Sequence, residues 1–477
     1  MKKSLKMIAV LFATVICLTG CKTMEQLENL KDLMYGTGEE SADGATDKDT
    51  DKVLVDNTIM EDLEVVVEEI LNNITAEQSK GYPLDENFFA WFYGNYGGEI
   101  LKEASNRIQA EESDELWMQL TGNTMHALWV YYCADTGMYP ESLLNVYAKD
   151  ANGTDIVIDF IGDLNFDDDW PNIQDMNGLG LDATDRMNDE LLSELTGADI
   201  LMVNNEFTYG VGGTPLEGKA YTFQAHPSKA AWLTAMGTDI VSLANNHVFD
   251  YGPEGLMSTI DAIEAEGLPF VGAGENLEEA KKIVYFVING RKIAFTSATQ
   301  IERTLNYTKE ATDTTPGVLK TLNASKYVEV IKEARENADF VIAYVHWGTE
   351  GSIYFGYDQK NLAAQFVAAG VDVIIGGHTH CLQGFEYRQG VPVFYSLGNF
   401  WFDWEEENSK ATGVAQVVIH PDGSFDCRFI PCIYDEYATY KLTLDKDIQA
   451  AYEYMESISD DVELDEEGYW IKENNNE

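Results

Sequence analysis

Through the middle of the chain, short apolar runs alternate with longer stretches of helical spacing. Ile156-Val-Ile-Asp-Phe-Ile161, Ile200-Leu-Met-Val203, Ile240-Val-Ser-Leu243, Ile293-Ala-Phe295, Phe340-Val-Ile-Ala-Tyr-Val345 and Val371-Asp-Val-Ile-Ile375 read as strands. Segments 184–197, 253–267 and 324–337 between them read as helices. Strands alternating with helices predict an α/β domain around a buried sheet. The strands at 391–397, 413–419 and 425–431 follow one another closely, which suits antiparallel additions. Beyond Lys441 the chain becomes an acidic, helix-prone tail.

The pattern before residue 155 is different. Lys2, Lys3 and Lys6 precede an apolar run, Met7 to Leu18, that is shorter than the roughly 20 residues a membrane-spanning helix needs. A basic start, a short apolar stretch and a small residue before the cut describe a secretory signal over residues 1–21. Leu18-Thr-Gly-Cys21 resembles a bacterial lipobox, which implies cleavage before Cys21, lipidation of its thiol and an extracytoplasmic, membrane-anchored protein. Residues 22–55 include a stretch of Glu, Asp, Ser, Gly and Thr too polar to bury a core, and read as a flexible acidic linker. Residues 56–148, with helical spacing from Glu61 to Leu71 and aromatic-rich stretches later, read as a small, mainly helical accessory region.

Charge narrows the functions. With 82 acidic residues against 31 basic, the formal net charge is −51, a surface that repels phosphate backbones and excludes nucleic acid as a partner. Six cysteines become four in the exported body: Cys133, Cys381, Cys427 and Cys432. Only Cys427 and Cys432 are close enough in sequence to suggest a disulfide, and buried thiols are the alternative. No Cys-x-x-Cys pair supports a zinc–thiolate site.

Polar clusters follow five of the strands, where open α/β sheets place their ligand sites. These are Phe160-Ile-Gly-Asp163, Asn204-Asn-Glu206, Ala244-Asn-Asn-His247 with Asp250-Tyr-Gly252, His346-Trp-Gly-Thr-Glu350, and Gly376-Gly-His-Thr-His380. Taken singly, Asp163 reads as a turn residue or cap, Glu206 as a surface carboxylate, and His247, His346 and His378 as core histidines. Their joint placement at strand ends argues for one shared polar site. Carboxylates mixed with imidazoles suit a pair of Mn, Fe or Zn ions better than Mg or Ca. His378 and His380 can reach one site only if the backbone bends, and Gly376-Gly377 would permit that bend. His226 lies where it could line the site, whereas His126 and His420 fall outside the clusters.

These blocks, in this order and with Gly255-Leu256 and Tyr395-Ser-Leu-Gly-Asn-Phe400, resemble the CapA family of poly-γ-glutamate capsule synthesis proteins over about residues 155–405. Residues 406–477 then form C-terminal strands and the tail. The resemblance implies a calcineurin-like metallophosphatase fold, an αββα sandwich. It implies Asp163, Glu206, Asn246, His346, His378 and His380 as metal ligands, and His247 as proton donor to a leaving group. Glu350 would support the chemistry or face substrate, and Asn204, Asp250 and Asn399 would bind substrate. Two positions depart from the phosphatase pattern. The Asp-x-His expected after the first strand reads Asp163-Leu-Asn165, and the bridging acid is Glu206 instead of Asp. A missing imidazole predicts one weakened metal position. The implied function is synthesis, export or anchoring of poly-γ-glutamate or a related polymer, as a metal-dependent hydrolase or transferase. The alternative is a non-catalytic assembly factor that binds polymer beside a membrane synthase complex.

Overall fold

The computed structural model describes residues 145–303, 306–403 and 409–471. The signal segment with Cys21, the linker, Cys133 and nearly all of the expected helical accessory region lie outside these residues. The last three residues of that region are not helical: β1 (Val146–Ala148) is a strand.

Alternation within the apolar runs builds two sheets. The first carries β2 (Ile156–Leu164), β3 (Ile200–Asn205), β4 (Ile240–Ser242) and β5 (Phe270–Val271), all parallel. The second carries β1, β6 (Val284–Ile288), β7 (Arg291–Thr299), β8 (Phe340–His346), β9 (Val373–Gly377), β10 (Leu382–Arg388) and β11 (Val391–Leu397). Its order is β1-β6-β7-β8-β9-β11-β10, with β7, β8, β9 and β11 parallel. A short strand β12 (Asn399–Trp401) crosses back to pair with β2 of the first sheet.

The strand at 391–397 is therefore only partly the antiparallel addition its spacing suggests. It runs antiparallel to β10 but parallel to β9. The later strands, β13 (Ala411–Ile419), β14 (Phe425–Asp435) and β15 (Ala438–Lys441), do form an antiparallel series. They extend the first sheet by pairing β13 with β2. Position 405 is consequently no packing boundary, because the strands after it complete the sheet that begins at Ile156.

Period-two alternation sends each strand's side chains to opposite faces. Ile158, Phe160 and Met202 of the first sheet meet Phe286, Phe295, Ile342, Ile375 and Phe394 of the second in one core between the sheets. Leu201, Val203 and Val241 point the other way, against α1 (Pro171–Leu179), α2 (Asp189–Gly197) and α3 (Gly252–Ala265). On the outer face of the second sheet, α4 (Ser325–Asn337) and α5 (Tyr357–Ala369) pack together through Tyr327 and Phe366. The layers are helix, sheet, sheet, helix. The acidic tail contributes α6 (Asp445–Ile458), whose Tyr452, Met455 and Ile458 join the inter-sheet core.

Cys427 and Cys432 are not joined. Five residues apart on β14, they face opposite sides: Cys427 enters the inter-sheet core and Cys432 the core beneath the helices. Both are buried thiols, as is Cys381.

Phe295 is fully buried between Phe160 and Phe286. Phe295→Ala leaves a cavity between the two sheets, and urea denaturation is expected to show a loss of about 3–5 kcal/mol. A loss below about 1 kcal/mol would mean that the sheets do not share this core.

Candidate metal centre

Pairing register brings the five strand ends to one edge. Asn399 pairs with Asp163, Asp163 with Asn204, and Asn204 with Ser242 across the first sheet. Thr299, His346 and Gly377 form the corresponding row of the second. The end of β2 can approach the opposite strap because Gly162 has no side chain. A Cβ there would lie 2.0 Å from the Gly398 carbonyl oxygen.

The bend that turns His378 and His380 inward is not made by the glycines before them. His378 (φ 95°) and His380 (φ 57°) themselves take left-handed backbone conformations, which non-glycine residues seldom adopt. Gly376 and Gly377 end β9 and serve close approach instead. A Cβ on Gly377 would meet Asp163 Oδ1 at 2.6 Å, and one on Gly376 would meet the Tyr395 carbonyl oxygen at 2.1 Å. Strained histidines at a polar site are the kind of outlier that function preserves.

Four donors converge on one point. Around Nε2 of His346 lie Asn246 Oδ1 at 2.7 Å, Glu206 Oε1 at 3.2 Å and His378 Nδ1 at 3.2 Å. Ligands at about 2.0–2.2 Å from a common ion stand at comparable separations from one another. A second group, Asp163, Glu206 and His380, also places one potential ligand atom from each residue within 4.8 Å of the others. Glu206 belongs to both groups. Its side chain is fully buried, and apart from its contacts with His346 and Asp163 neither carboxylate oxygen has a hydrogen-bond partner. A buried carboxylate left in this way is costly unless a cation meets it. The donor set, carboxylate oxygen with imidazole nitrogen, fits divalent Mn, Fe or Zn.

The groups are unequal. The His346 group has two imidazoles, a carboxylate and an amide oxygen, whereas the Asp163 group has one imidazole and two carboxylates. Asn165, at the missing-imidazole position, turns its Oδ1 to the backbone N–H of Asp167.

Electrostatics point the same way. Burial, reinforced by the Glu206 charge, pushes the Asp163 carboxyl up to about 8, and burial raises Glu206 well above the carboxylate range. Burial also lowers His346 to about 4, His380 to about 3 and His378 well below its usual value. In the metal-free site burial thus favours the neutral form of the acids and of the imidazoles alike.

Among the other residues singled out from sequence, Asn204 and Asp250 are bonded within the cluster. Both are fully buried. Asn204 Nδ2 donates to Asp163 Oδ1 (2.7 Å) and lies 3.3 Å from His346 Nδ1. Asp250 Oδ2 contacts His247 Nδ1 at 2.8 Å and accepts from the Phe223 N–H, while Oδ1 pairs with Lys219. These two residues hold the machinery in place. Asn399 is likewise buried, its Oδ1 2.8 Å from His380 Nδ1. Glu350 stands at the mouth, half exposed, 4.0 Å from His378 Nε2. His226 is exposed and caps a short turn through Ser228, away from the cluster. His420 bridges Asp155 and Asp426 on the surface.

Two residues the sequence reading gave no role are integral. Asn245 donates to Asn204 Oδ1 and the Asn205 carbonyl, and accepts from the N–H groups of His247 and Val248. Lys219 ties the carbonyl of Asn246 to Asp250. Asn245 stood inside a quoted block, but Lys219 lies in a Gly-rich loop that carries no periodic signal.

Metal binding must displace the raised protons. Acids whose protonated form burial favours release protons when a cation replaces them, whereas imidazoles already neutral release none. Calorimetric titration with Mn or Zn at pH 7, in buffers of different ionisation enthalpy, is expected to show a net release of about one to two protons. It should also show two unequal binding events. Proton uptake, or a single class of equal sites, would contradict this assignment.

Comparison with known proteins finds relatives over the segment that carries this site. The model of the bacterial capsule synthesis protein PGA_cap matches residues 157–404. The capsule biosynthesis protein CapA of Bacillus anthracis is 35% identical over 230 residues, covering 46% of this chain and 53% of its own. The PGA biosynthesis protein CapA of Bacillus subtilis strain 168 is 33% identical over 207 residues, covering 43% and 53%. The chain thus spans about half the length of these relatives. A 5′-nucleotidase from Candida albicans superimposes on 59% of this chain and 53% of its own at 12% identity, with a TM-score of 0.32, too slight a likeness to argue from. On the match that covers the whole strand-end site, this chain belongs to the bacterial capsule synthesis protein family PGA_cap.

Proposed function

We propose that this protein acts in synthesis, export or anchoring of poly-γ-glutamate or a related envelope polymer, as a metal-dependent hydrolase or transferase. The names of its relatives supply the polymer. The chemistry rests on one observation, the two ligand groups that share the fully buried carboxylate of Glu206. Leu18-Thr-Gly-Cys21 supports attachment to the outer side of a membrane through lipid on Cys21.

Divalent ions held by Asp163, Glu206, Asn246, His346, His378 and His380 would supply Lewis acidity and lower the pKa of water. The remaining work belongs to side chains. His247, buried beside this cluster, points Nδ1 at Asp250, which leaves Nε2 to exchange a proton with a leaving group. Burial lowers its pKa and the Asp250 charge opposes that fall, so the carboxylate supports the protonated, donating form. The Phe223 ring lies against the imidazole, 4.5 Å between centroids, and fixes its plane. Lys219 holds Asp250 in turn. Asn204, through Asp163 and His346, keeps two candidate ligands from drifting apart.

Asn165 favours a second reading. With its Oδ1 engaged by the Asp167 N–H and no imidazole in its place, one metal position is poor, and the site could bind metal and polymer without turnover. The purified protein, assayed on phosphoesters and on γ-glutamyl polymer with Mn or Zn, separates the two. The enzyme reading expects His247→Ala to lower turnover by about 10²–10⁴-fold with metal content retained. It expects Asp163→Ala to lose metal and activity together. Metal bound with no turnover on either substrate would overturn it and leave the assembly factor.

A further inference from the structure

Lys320 stands apart from the other buried lysines. Lys229, equally buried, pairs with Asp168, and Lys219 pairs with Asp250 and the Asn246 carbonyl. Lys320 is 4% exposed, and its Nζ has no hydrogen-bond partner. Buried ammonium groups are otherwise paired, so one left alone marks a place where the counter-charge comes from outside the fold.

Its position ties it to the metal-ligand cluster. Lys320 bridges to Thr299, and Thr299 pairs in turn with His346. Two strand spacings of about 4.8 Å place its backbone roughly 10 Å from that of a candidate ligand. Lys219 is near enough for its charge to act on Lys320 and also on Glu206, His346 and His247. The nearby acids leave Lys320 unmet. Glu302 directs Oε2 to the N–H groups of Tyr307 and Thr308 and holds Oε1 3.6 Å from Lys219, and Glu310 pairs with Lys326. Burial lowers the Lys320 pKa despite both acids, in keeping with an ammonium short of a counter-ion.

We propose that Lys320, with Lys219 beside it, forms an anion subsite next to the metal-ligand cluster that takes a carboxylate of the substrate chain. The choice of carboxylate rests on the polyglutamate reading. A γ-linked glutamyl chain keeps one α-carboxylate on every residue, so a chain with one linkage at the cluster offers a carboxylate to a site one or two residues away. The subsite itself rests only on the lysines.

The test is calorimetric titration of the metal-loaded full chain with γ-linked tetraglutamate, with the same oligomer carrying α-carboxamides, and with inorganic phosphate. Lys320→Met and Lys320→Arg are compared with the unsubstituted protein. Lys320→Met is expected to weaken tetraglutamate binding by about tenfold or more and leave carboxamide binding unaltered, and Lys320→Arg to restore most of the loss. A melting temperature at or above the unsubstituted protein's should accompany Lys320→Met, since it removes a partnerless buried amine. If Lys320→Met binds tetraglutamate and phosphate as the unsubstituted protein does, or no probe binds either protein, the subsite is overturned. If phosphate binds through Lys320 and tetraglutamate does not bind at all, the subsite stands and the polyglutamate reading falls.

Discussion

Glu206 is a carboxyl group removed from water and set among three imidazoles and a second acid. Ionising it there carries an electrostatic cost, and a cation relieves that cost. Neighbouring features make sense as preparations for that cation. Asn204 and Asn245 spend their amides on fixing Asp163, His346 and the His247 loop. Asp250 and Lys219 fix His247. The backbone takes two left-handed histidines to aim imidazoles that an ordinary strand end would send elsewhere.

The two sheets serve the same constraint. Each delivers its parallel strand ends to one edge, and β12 carries Asn399 back beside Asp163 to hold His380. Glycines at 162 and 377 let these elements close to distances that a methyl group would block. The site is thus a property of the register between strands far apart in sequence.

Much of this was legible in the chain. Fully apolar runs mark buried parallel strands without ambiguity when polar residues follow each of them, and the collected strand ends reveal the site. What escaped depends on tertiary contact. Leu382–Arg388 carries Gln383, Gly384 and Glu386 and reads as no strand. Yet Gly384 is the position where the end of α6 lies against β10, with a would-be Cβ 1.9 Å from the Ile458 carbonyl oxygen. Lys219 and Lys320 sit in irregular segments, where no periodicity says what a side chain will meet. The glycines before His378 suggested a flexible bend because sequence shows conformational freedom, whereas close approach depends on a partner 214 positions away, 377 − 163. The hydrogen bonds of Asn204 to Asp163 and of Asp250 to His247 were likewise not legible, because sequence places residues at a site without showing which of them touch.

The central claim is that Glu206 is held for metal, and thermal denaturation of Glu206→Gln with and without Mn or Zn tests it most directly. The account predicts a metal-free variant at least as stable as the unsubstituted protein, because a buried acid has become a neutral amide. It also predicts that the rise in melting temperature on adding metal is largely lost. A variant that is destabilised without metal yet stabilised by it as fully as the unsubstituted protein would contradict the account.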